Sequence, residues 1–497
     1  MNQVRYLMLA DGTELWPQVA LSLRDNYGIE PVLWIGHPRH LEFASREFPD
    51  CTVINERKLD LGIFDRSETR TLPWLPSESL PLGTAARRAH YSLMRRPYRM
   101  KRTYLRDRIE VELLLEFLWY HLESQDVNRA LASQIPHGFS GLLTTGLLEV
   151  MGIELLHFQQ VNIGPFAIPR VGPHFTSFNE GHASVQAGLQ EPTAQEIEVW
   201  VSRFASRFRD RLSAEREERV AKFEDDLRGF SGMVRNVRNK ARESRQLKEL
   251  RKDPGFVSEV RIPTRLVRTL MEERREVGLL RKSYARHCRP VSLQERFWFF
   301  PLHFEPEKSS MPDGGRNESQ HALIRAISES APDGVTLLVK EHPSQLMISK
   351  AGFKGRSKNF YDELSYRRNV RFVDVKIPTW QLLKRAEIVF TITGSIGLEA
   401  MLAGVPLVHF GEAWYRGLAG TFHCARPSQL DSVIEDALMH QPLVNAERFL
   451  VSHIASQSVR AVLTPADWRH YVRLGWNEEV DVAGVTRIVA DHFAISD

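Results

Sequence analysis

The 497-residue chain has only three cysteines, Cys51, Cys288 and Cys424. They lie far apart, with no CxxC or mixed Cys/His cluster, which excludes a disulfide framework and an ordinary structural zinc site. No segment has about 18 uninterrupted apolar residues, so no transmembrane helix is signalled. The opening "MNQVRYLMLADGTELWPQ" lacks a basic stretch followed by an apolar run and a cleavage site, and the expectation is a cytoplasmic protein. HExxH, a compact Asp/His cluster and a strand-end DxD are also missing. The "EDD" of Glu224 to Asp226 falls in a charged, helix-forming segment, so neither a metal nor a resident cofactor is expected. Basic residues are not interleaved with aromatics, which argues against a single-strand nucleic-acid binder.

What is present is a globular composition, 42% hydrophobic and 26% charged. At roughly 150 residues per domain the length suggests two or three units. Net charge is only +4, but the basic residues are concentrated. "RRAHYSLMRRPYRMKRTYLRDR" (Arg87 to Arg108) carries a single acidic residue. Anionic lipid, phosphate or an anionic glycan would suit this stretch electrostatically, and a solvated helical face would explain it equally.

The chain reads as an α/β protein from its start. "RYLMLA" is a buried strand, "LWPQVALSLRDNYG" a helix with Pro17 in its first turn and Gly28 at its end, and "PVLWIG" a second strand. Continuous apolar strands alternating with amphipathic helices predict a parallel sheet. "IEVELLLEFLWYHLESQ" continues as helix, and "LLTTGLLEVMGIELLHF" as helix, Gly152, strand. Residues 193–286 are dense in Arg, Glu and Lys and read as a helical insertion or connector. Thereafter "RFWFFPL", "VTLLVKEHP", "NVRFVD", "EIVFTIT" and "VPLVHFG" are strands separated by helices. The expected architecture is two Rossmann-like, doubly wound α/β domains with a charged helical connector: residues 1–192, 193–286 and 287–440, then a helical segment, 441–497, packing back across them. In such sheets ligands bind beyond the carboxyl ends of the strands.

Two stretches of the second domain therefore carry the chemistry. "KEHPSQ" (Lys340 to Gln345) ends a strand with Pro343 stopping the ladder and His342 directed to the crevice, where it can donate to a phosphate or protonate a leaving group. A satisfied turn histidine is the alternative. "TITGSIGLEAMLAG" has a strand ending in Thr393, then Gly394 and Ser395, then a helix with Glu399 one turn in. Amides at that helix start, with Ser395 as cap, would make an anion cradle. Gly394 and Gly397 would admit a phosphate, and Glu399 would accept from ribose hydroxyls. An ordinary capped helix with Glu399 complementing its dipole is the alternative.

"FFPLHFEPEKS" (Phe299 to Ser309), "KEHP" and "TGSIGLEAMLAGVPLVHFGEAWY", in this order, resemble the C-terminal half of bacterial capsule polysaccharide biosynthesis glycosyltransferases, the capsule β-Kdo transferase-like family of the two-domain GT-B fold. The resemblance covers residues 290–420 well and the first 190 only in rhythm. It implies transfer of a sugar from a nucleotide donor, with the nucleotide-sugar a co-substrate, CMP-linked Kdo or a sialic-type acid being favoured. The acceptor would be a surface glycan or glycolipid held by the N-terminal domain. His342 and Pro343, beside Lys340, match the His-Pro element next to the nucleotide. Thr393 and Ser395 match the Ser/Thr element, and Glu399 the acid that contacts the nucleoside. His303, Glu305 and Glu307 fall in a loop that faces the cleft in that fold and could position a hydroxyl, Glu305 also counting among the catalytic candidates.

The N-terminal motif of the β-Kdo enzymes does not align with "FQQVNIGPFAIPRVGPHFTSFNEGH" (Phe158 to His182). Asp11, at the end of the first strand, and Glu180 remain as candidates for the base, against the alternatives of a turn cap and an exposed loop acid. Arg87 to Arg108 would hold the enzyme at an anionic membrane, and capsule-assembly proteins would be its partners. Two other classes stay open: a UDP-sugar transferase or epimerase on the same fold, and a non-catalytic scaffold of a capsule-assembly complex.

Overall fold

All the apolar runs expected as strands pair in sheets in the computed structural model, which describes residues 3–73, 79–94, 104–172, 183–184, 192–213, 266–305, 307, 310–348, 352–463, 471 and 478–495. Residues up to Trp200, together with those from Val451 onward, form one unit, and most described residues between them form another.

The first unit opens with β1 (Tyr6–Ala10), α1 (Leu15–Tyr27), β2 (Pro31–Gly36), α2 (Leu41–Glu47), β3 (Thr52–Asn55) and α3 (Glu56–Asp60). Gly28 closes α1 at φ 67°, a left-handed position that a β-carbon would strain. Then come α4 (Leu80–Met94), α5 (Tyr104–Ser124), β4 (Arg129–Ala132), α6 (Phe139–Val150), β5 (Leu155–Val161), β6 (Phe166–Val171) and β7 (Ala183–Ser184). Of the charged stretch 193–286, the two flanks are helical, α7 (Ala194–Ser213) and α8 (Leu266–His287), and 214–265 lies outside the described residues.

The second unit contains β8 (Phe297–Pro301), α9 (Gln320–Ser330), β9 (Thr336–Lys340), α10 (Lys358–Ser365), β10 (Val370–Val373) and α11 (Thr379–Leu383). It continues with β11 (Val389–Thr391), α12 (Ile396–Leu402), β12 (Leu407–His409), β13 (Thr421–His423) and α13 (Leu430–Met439). After α14 (Ala446–Gln457) the chain adds β14 (Val459–Arg460) and α15 (Glu478–Ile495) to the first unit.

The second sheet is parallel throughout, in the order β10-β9-β8-β11-β12-β13. The first runs β14-β6-β5-β4-β1-β2-β3 and is parallel from β5 to β3. This is the parallel sheet expected, with antiparallel strands added at one edge: β6 runs antiparallel to β5, and β14 and β7 run antiparallel to β6. Pro169 disguises β6 in the sequence. It is tolerated because β14 pairs only with Phe166 and Ala167, and β7 only with Arg170 and Val171, leaving Pro169 between them.

Both faces of the first sheet are covered, which is why its strands are continuously apolar. Along β1, Tyr6, Met8 and Ala10 join a core with Trp16, Trp34 and Phe493, while Leu7 joins another with Leu114, Leu118 and Leu143. The second unit has its own core around Trp298, Phe300, Val339, Phe372, Phe390 and Phe410. In each sheet the strand order reverses direction once, between β1 and β4 in the first and between β8 and β11 in the second. These reversals open a crevice at the strands' carboxyl ends.

Phe493 of α15 is buried, its ring 5.5 Å from that of Tyr6. Phe493→Ala is expected to cost the first unit about 3–5 kcal/mol. Urea unfolding read by tryptophan fluorescence checks this, and an unchanged midpoint would remove α15 from that core.

Candidate functional site

At the reversal of the second sheet, the segments after β8 and β11 are tied by one side chain. His303 is buried, and its Nε2 accepts from the Ile392 amide at 3.1 Å and lies 3.0 Å from the Thr391 hydroxyl. Thr391 Oγ1 in turn accepts from the Gly394 amide at 3.1 Å. An accepting Nε2 puts the ring hydrogen on Nδ1. Burial, reinforced by the Arg356 charge, pushes the ring down to about 4. His303 thus faces inward, holding the Thr391–Gly394 turn, rather than facing a cleft as its loop position suggested.

Arg356 joins two strand ends, those of β8 and β9, from within the protein. It donates to Glu305 at 2.8 Å, to Glu341 at 3.1 Å and to the His303 carbonyl at 3.1 Å, and its guanidinium lies 4.2 Å from the Phe360 ring. Burial opposes its charge, but Glu341 and Glu305 outweigh this and hold the guanidinium above its usual range. Glu341 also accepts from the Tyr361 hydroxyl at 2.6 Å and from the His342 amide at 2.7 Å. Burial pushes its carboxyl up, while these donors and Arg356 pull it back. Gln345, fully buried, accepts from the Glu305 amide and donates to the Glu305 carbonyl, sewing the loop after β8 to the "KEHPSQ" turn.

"KEHPSQ" is therefore a strand end held on both sides of a half-buried ring, that of His342. Lys340 turns inward, its Nζ 2.8 Å from the Thr379 hydroxyl. Pro343 starts a 3-10 turn, Pro343–Leu346, and His342 caps it, Nδ1 accepting from the Ser344 amide at 3.2 Å. The neutral ring then carries its hydrogen on Nε2, the atom away from the turn. Glu307 is exposed.

The turn after β11 differs from the cradle expected there. Ser395 makes no capping hydrogen bond, because its backbone is already helical at φ −60°, ψ −13°. The Gly397 amide bonds the Gly394 carbonyl and the Leu398 amide bonds the Ser395 carbonyl. The glycines answer to packing: a β-carbon on Gly394 would lie 2.7 Å from Thr391 Oγ1, and one on Gly397 would lie 2.5 Å from the Tyr415 ring. The Tyr415 hydroxyl donates to the Gly394 carbonyl at 2.8 Å. Thr393 and Glu399 are half-buried beside this turn.

The first sheet has a cavity of about 200 Å³ at its own reversal, reached by Asp11 after β1, Glu56 after β3, and Ser133 and Gln134 after β4. Asp11 Oδ1 accepts from the amide and hydroxyl of Thr13, both at 2.8 Å, so Asp11 forms a turn while lining the cavity. Asp60 accepts from the Ser140 amide at 2.9 Å and so caps the start of α6. Glu180 lies outside the described residues. Of the basic stretch, Arg88 is buried, Arg108 pairs with Glu112 at 2.8 Å, and 95–103 is outside the described residues.

The sequence reading missed Glu341, Arg356, Gln345, Glu56 and Ser133. Glu341 stood inside the quoted motif and could have been found, since an acid next to a buried strand end needs a buried partner. Nothing marks Arg356 in "FKGRSKNF".

The model of the family described as "Capsule polysaccharide biosynthesis protein" matches residues 296–437, the span that contains these second-unit groups. Over that segment the chain is similar to the capsule polysaccharide biosynthesis family. The capsule polysaccharide modification protein LipA of Neisseria meningitidis serogroup B is 28% identical over 104 residues, 21% of this chain and 14% of LipA. The chain thus spans a small part of the length of that curated relative. Among solved structures, the β-Kdo 2,7 transferase of Thermosulfurimonas dismutans KpsC overlays with a TM-score of 0.30 at 13% identity, covering 72% of this chain and 84% of that one. Anabaena HepE, solved with UDP and glucose, gives 0.24 at 12% identity, covering 96% and 100%. Overlays at such scores support no functional argument.

His303, His409 and His423 are held down to about 4, 3 and 4, in each case first by burial. Unfolding releases each to the ordinary 6.5, so the unfolded chain binds more protons below that pH. The second unit should keep its full stability above pH 6.5 and lose it progressively as pH falls towards 4. Urea midpoints taken across that range check this, and His303→Gln, which retains an acceptor for Ile392, should flatten part of the slope. A midpoint independent of pH would contradict the assignment.

Proposed function

We propose that the chain is a glycosyltransferase of capsule polysaccharide synthesis, transferring a sugar from a nucleotide donor to a glycan or glycolipid acceptor. One observation carries the reading: the family segment converges on the reversal of a parallel sheet, where the loop after β8 is bonded by His303 to the Thr391–Gly394 turn and by Arg356 and Gln345 to the His342 turn. Such buried supporting bonds are what a site needs to hold its reacting groups in place.

In the proposed reaction an acceptor oxygen attacks the anomeric carbon of the donor, and the bond from that carbon to the nucleotide phosphate breaks with its electron pair on the phosphate. Asp11 or Glu180 takes the acceptor proton, with Asp11 at the strand end where such a base is expected. With the Gly394, Gly397 and Leu398 amides engaged within their turn, His342 together with the remaining amides and the dipole of that turn would stabilise the departing phosphate. Glu399 would contact the nucleoside. The His-Pro element supports CMP as the nucleotide, and Kdo or a sialic-type acid as the sugar. Exposed Arg87 and Arg108 would contribute to contact with an anionic membrane.

A second reading, a scaffold of the same fold that binds no nucleotide, is favoured by those same engaged amides. Thermal unfolding with CMP, CDP, UDP and GDP separates the two. A nucleotide at 100 times its dissociation constant adds about 2.7 kcal/mol. Selective stabilisation by CMP that His342→Ala abolishes is the expected result. A preference for UDP would replace the donor class, and no shift with any nucleotide would favour the scaffold.

A further inference from the structure

The cavity at the reversal of the first sheet has a lining whose polar groups fall into two sets. Asp11 and Asp60 spend an oxygen each on neighbouring turns, accepting from both the amide and the hydroxyl of Thr13 and of Ser140. Glu56 and Ser133 make no such side-chain bonds with the described residues. The Ser133 residue is 3% exposed, so its hydroxyl has almost no access to bulk water and only the cavity to face. A hydrogen-bonding ligand seated in the cavity would give this hydroxyl a partner.

The charge of the lining restricts that ligand. Among the described lining residues there is no Lys or Arg, so an anionic group would lie beside Asp11 and Asp60 with only the His137 ring to offset them. Burial, followed by the charges of Asp60 and Asp11 and against that of Arg57, pushes the Glu56 carboxyl up to about 8. Around neutral pH Glu56 is thus mostly a carboxylic acid, able both to donate and to accept, as Ser133 is. A hydroxyl also does both, whereas an ammonium group only donates. The volume, about 200 Å³, is that of roughly seven waters at about 30 Å³ each, comparable to a single sugar ring.

We propose that this cavity binds one uncharged, hydroxyl-rich sugar residue of the acceptor, with Glu56 and Ser133 as its hydrogen-bonding residues. The inference rests on the transferase reading for the word acceptor, and on the cavity alone for the ligand's chemistry. It implies that the glycan end presented to this unit is a neutral sugar, whatever charge the transferred sugar carries.

Saturation-transfer NMR and calorimetry on the full chain at pH 7 test it, with methyl hexosides of gluco, galacto and manno configuration as probes. The corresponding methyl uronosides and 2-amino hexosides serve as charged counterparts. At least one neutral hexoside should bind, and its uronoside should bind about tenfold more weakly or not at all. Glu56→Gln, which keeps a donor and an acceptor, should retain that binding, while Glu56→Leu and Ser133→Ala should each weaken it about tenfold, the effect of one lost buried hydrogen bond. Urea transitions of the first unit establish that each variant is folded. Absence of hexoside binding, tighter binding of the uronoside or amine, or indifference to Glu56→Leu would overturn the proposal. Nucleotide stabilisation measured on the same protein keeps the two readings apart. If it persists while hexosides fail, only the cavity assignment falls; if it is absent while hexosides bind, the transferase reading falls and the cavity assignment stands.

Discussion

A single buried guanidinium organises the second unit. Arg356 is 4% exposed and joins the loop after β8, through Glu305 and the His303 carbonyl, to the loop after β9, through Glu341. Such an arrangement is weak evidence for stability, because desolvating three charged groups consumes much of what their attraction returns. Its effect is on geometry. The loops carrying His303 and His342 cannot shift independently without leaving a charge buried and unpaired, a loss of several kcal/mol. Tyr361 adds a hydrogen bond to the Glu341 carboxylate, and Gln345 and Tyr284 complete the arrangement with neutral bonds, the last accepting from the Glu341 amide at 3.0 Å. The ring of His342 therefore rests on a base with little freedom.

The same logic, applied to glycine, changes how the turn after β11 is understood. Close ligand approach and close packing make the same demand on a backbone position, namely no side chain, and sequence cannot distinguish them. Here Thr391 claims the space at Gly394 and Tyr415 the space at Gly397. A phosphate meeting this turn would find a surface already shaped by its own interior bonds.

How much of this could be read in advance follows a physical rule. Strands covered on both faces, such as "RYLMLA" and "RFWFFPL", announce themselves by continuous apolarity, and α1 by Pro17 and Gly28. Strand ends followed at once, and with them Asp11, His303, Lys340 and His342. Short or interrupted strands did not: β4 offers only "RALA", and β6 is broken by Pro169. Partnerships were illegible as well. His303 and Thr391 are 88 positions apart, and Glu305 and Arg356 are 51 apart. Whether a strand-end residue faces a ligand or its own core depends on such contacts, so Ser395 was expected to cap a helix it does not cap, and Glu56 passed unnoticed at the head of a five-residue helix.

The return of the chain to the first unit has a consequence for how the protein is made. β14 supplies an edge pairing to β6, and α15 covers the core containing Tyr6 and Trp16. Both follow the whole second unit in the chain, so the ribosome delivers them after it. Through most of synthesis the first sheet waits with part of that face, beside α1, uncovered while the second unit, contiguous from α8 to α13, can complete its core. The first unit therefore cannot complete its core until the second has been synthesised, against the usual order in which an N-terminal unit finishes first. Chaperone dependence, and aggregation on overexpression, would then originate in the part of the chain that emerges earliest.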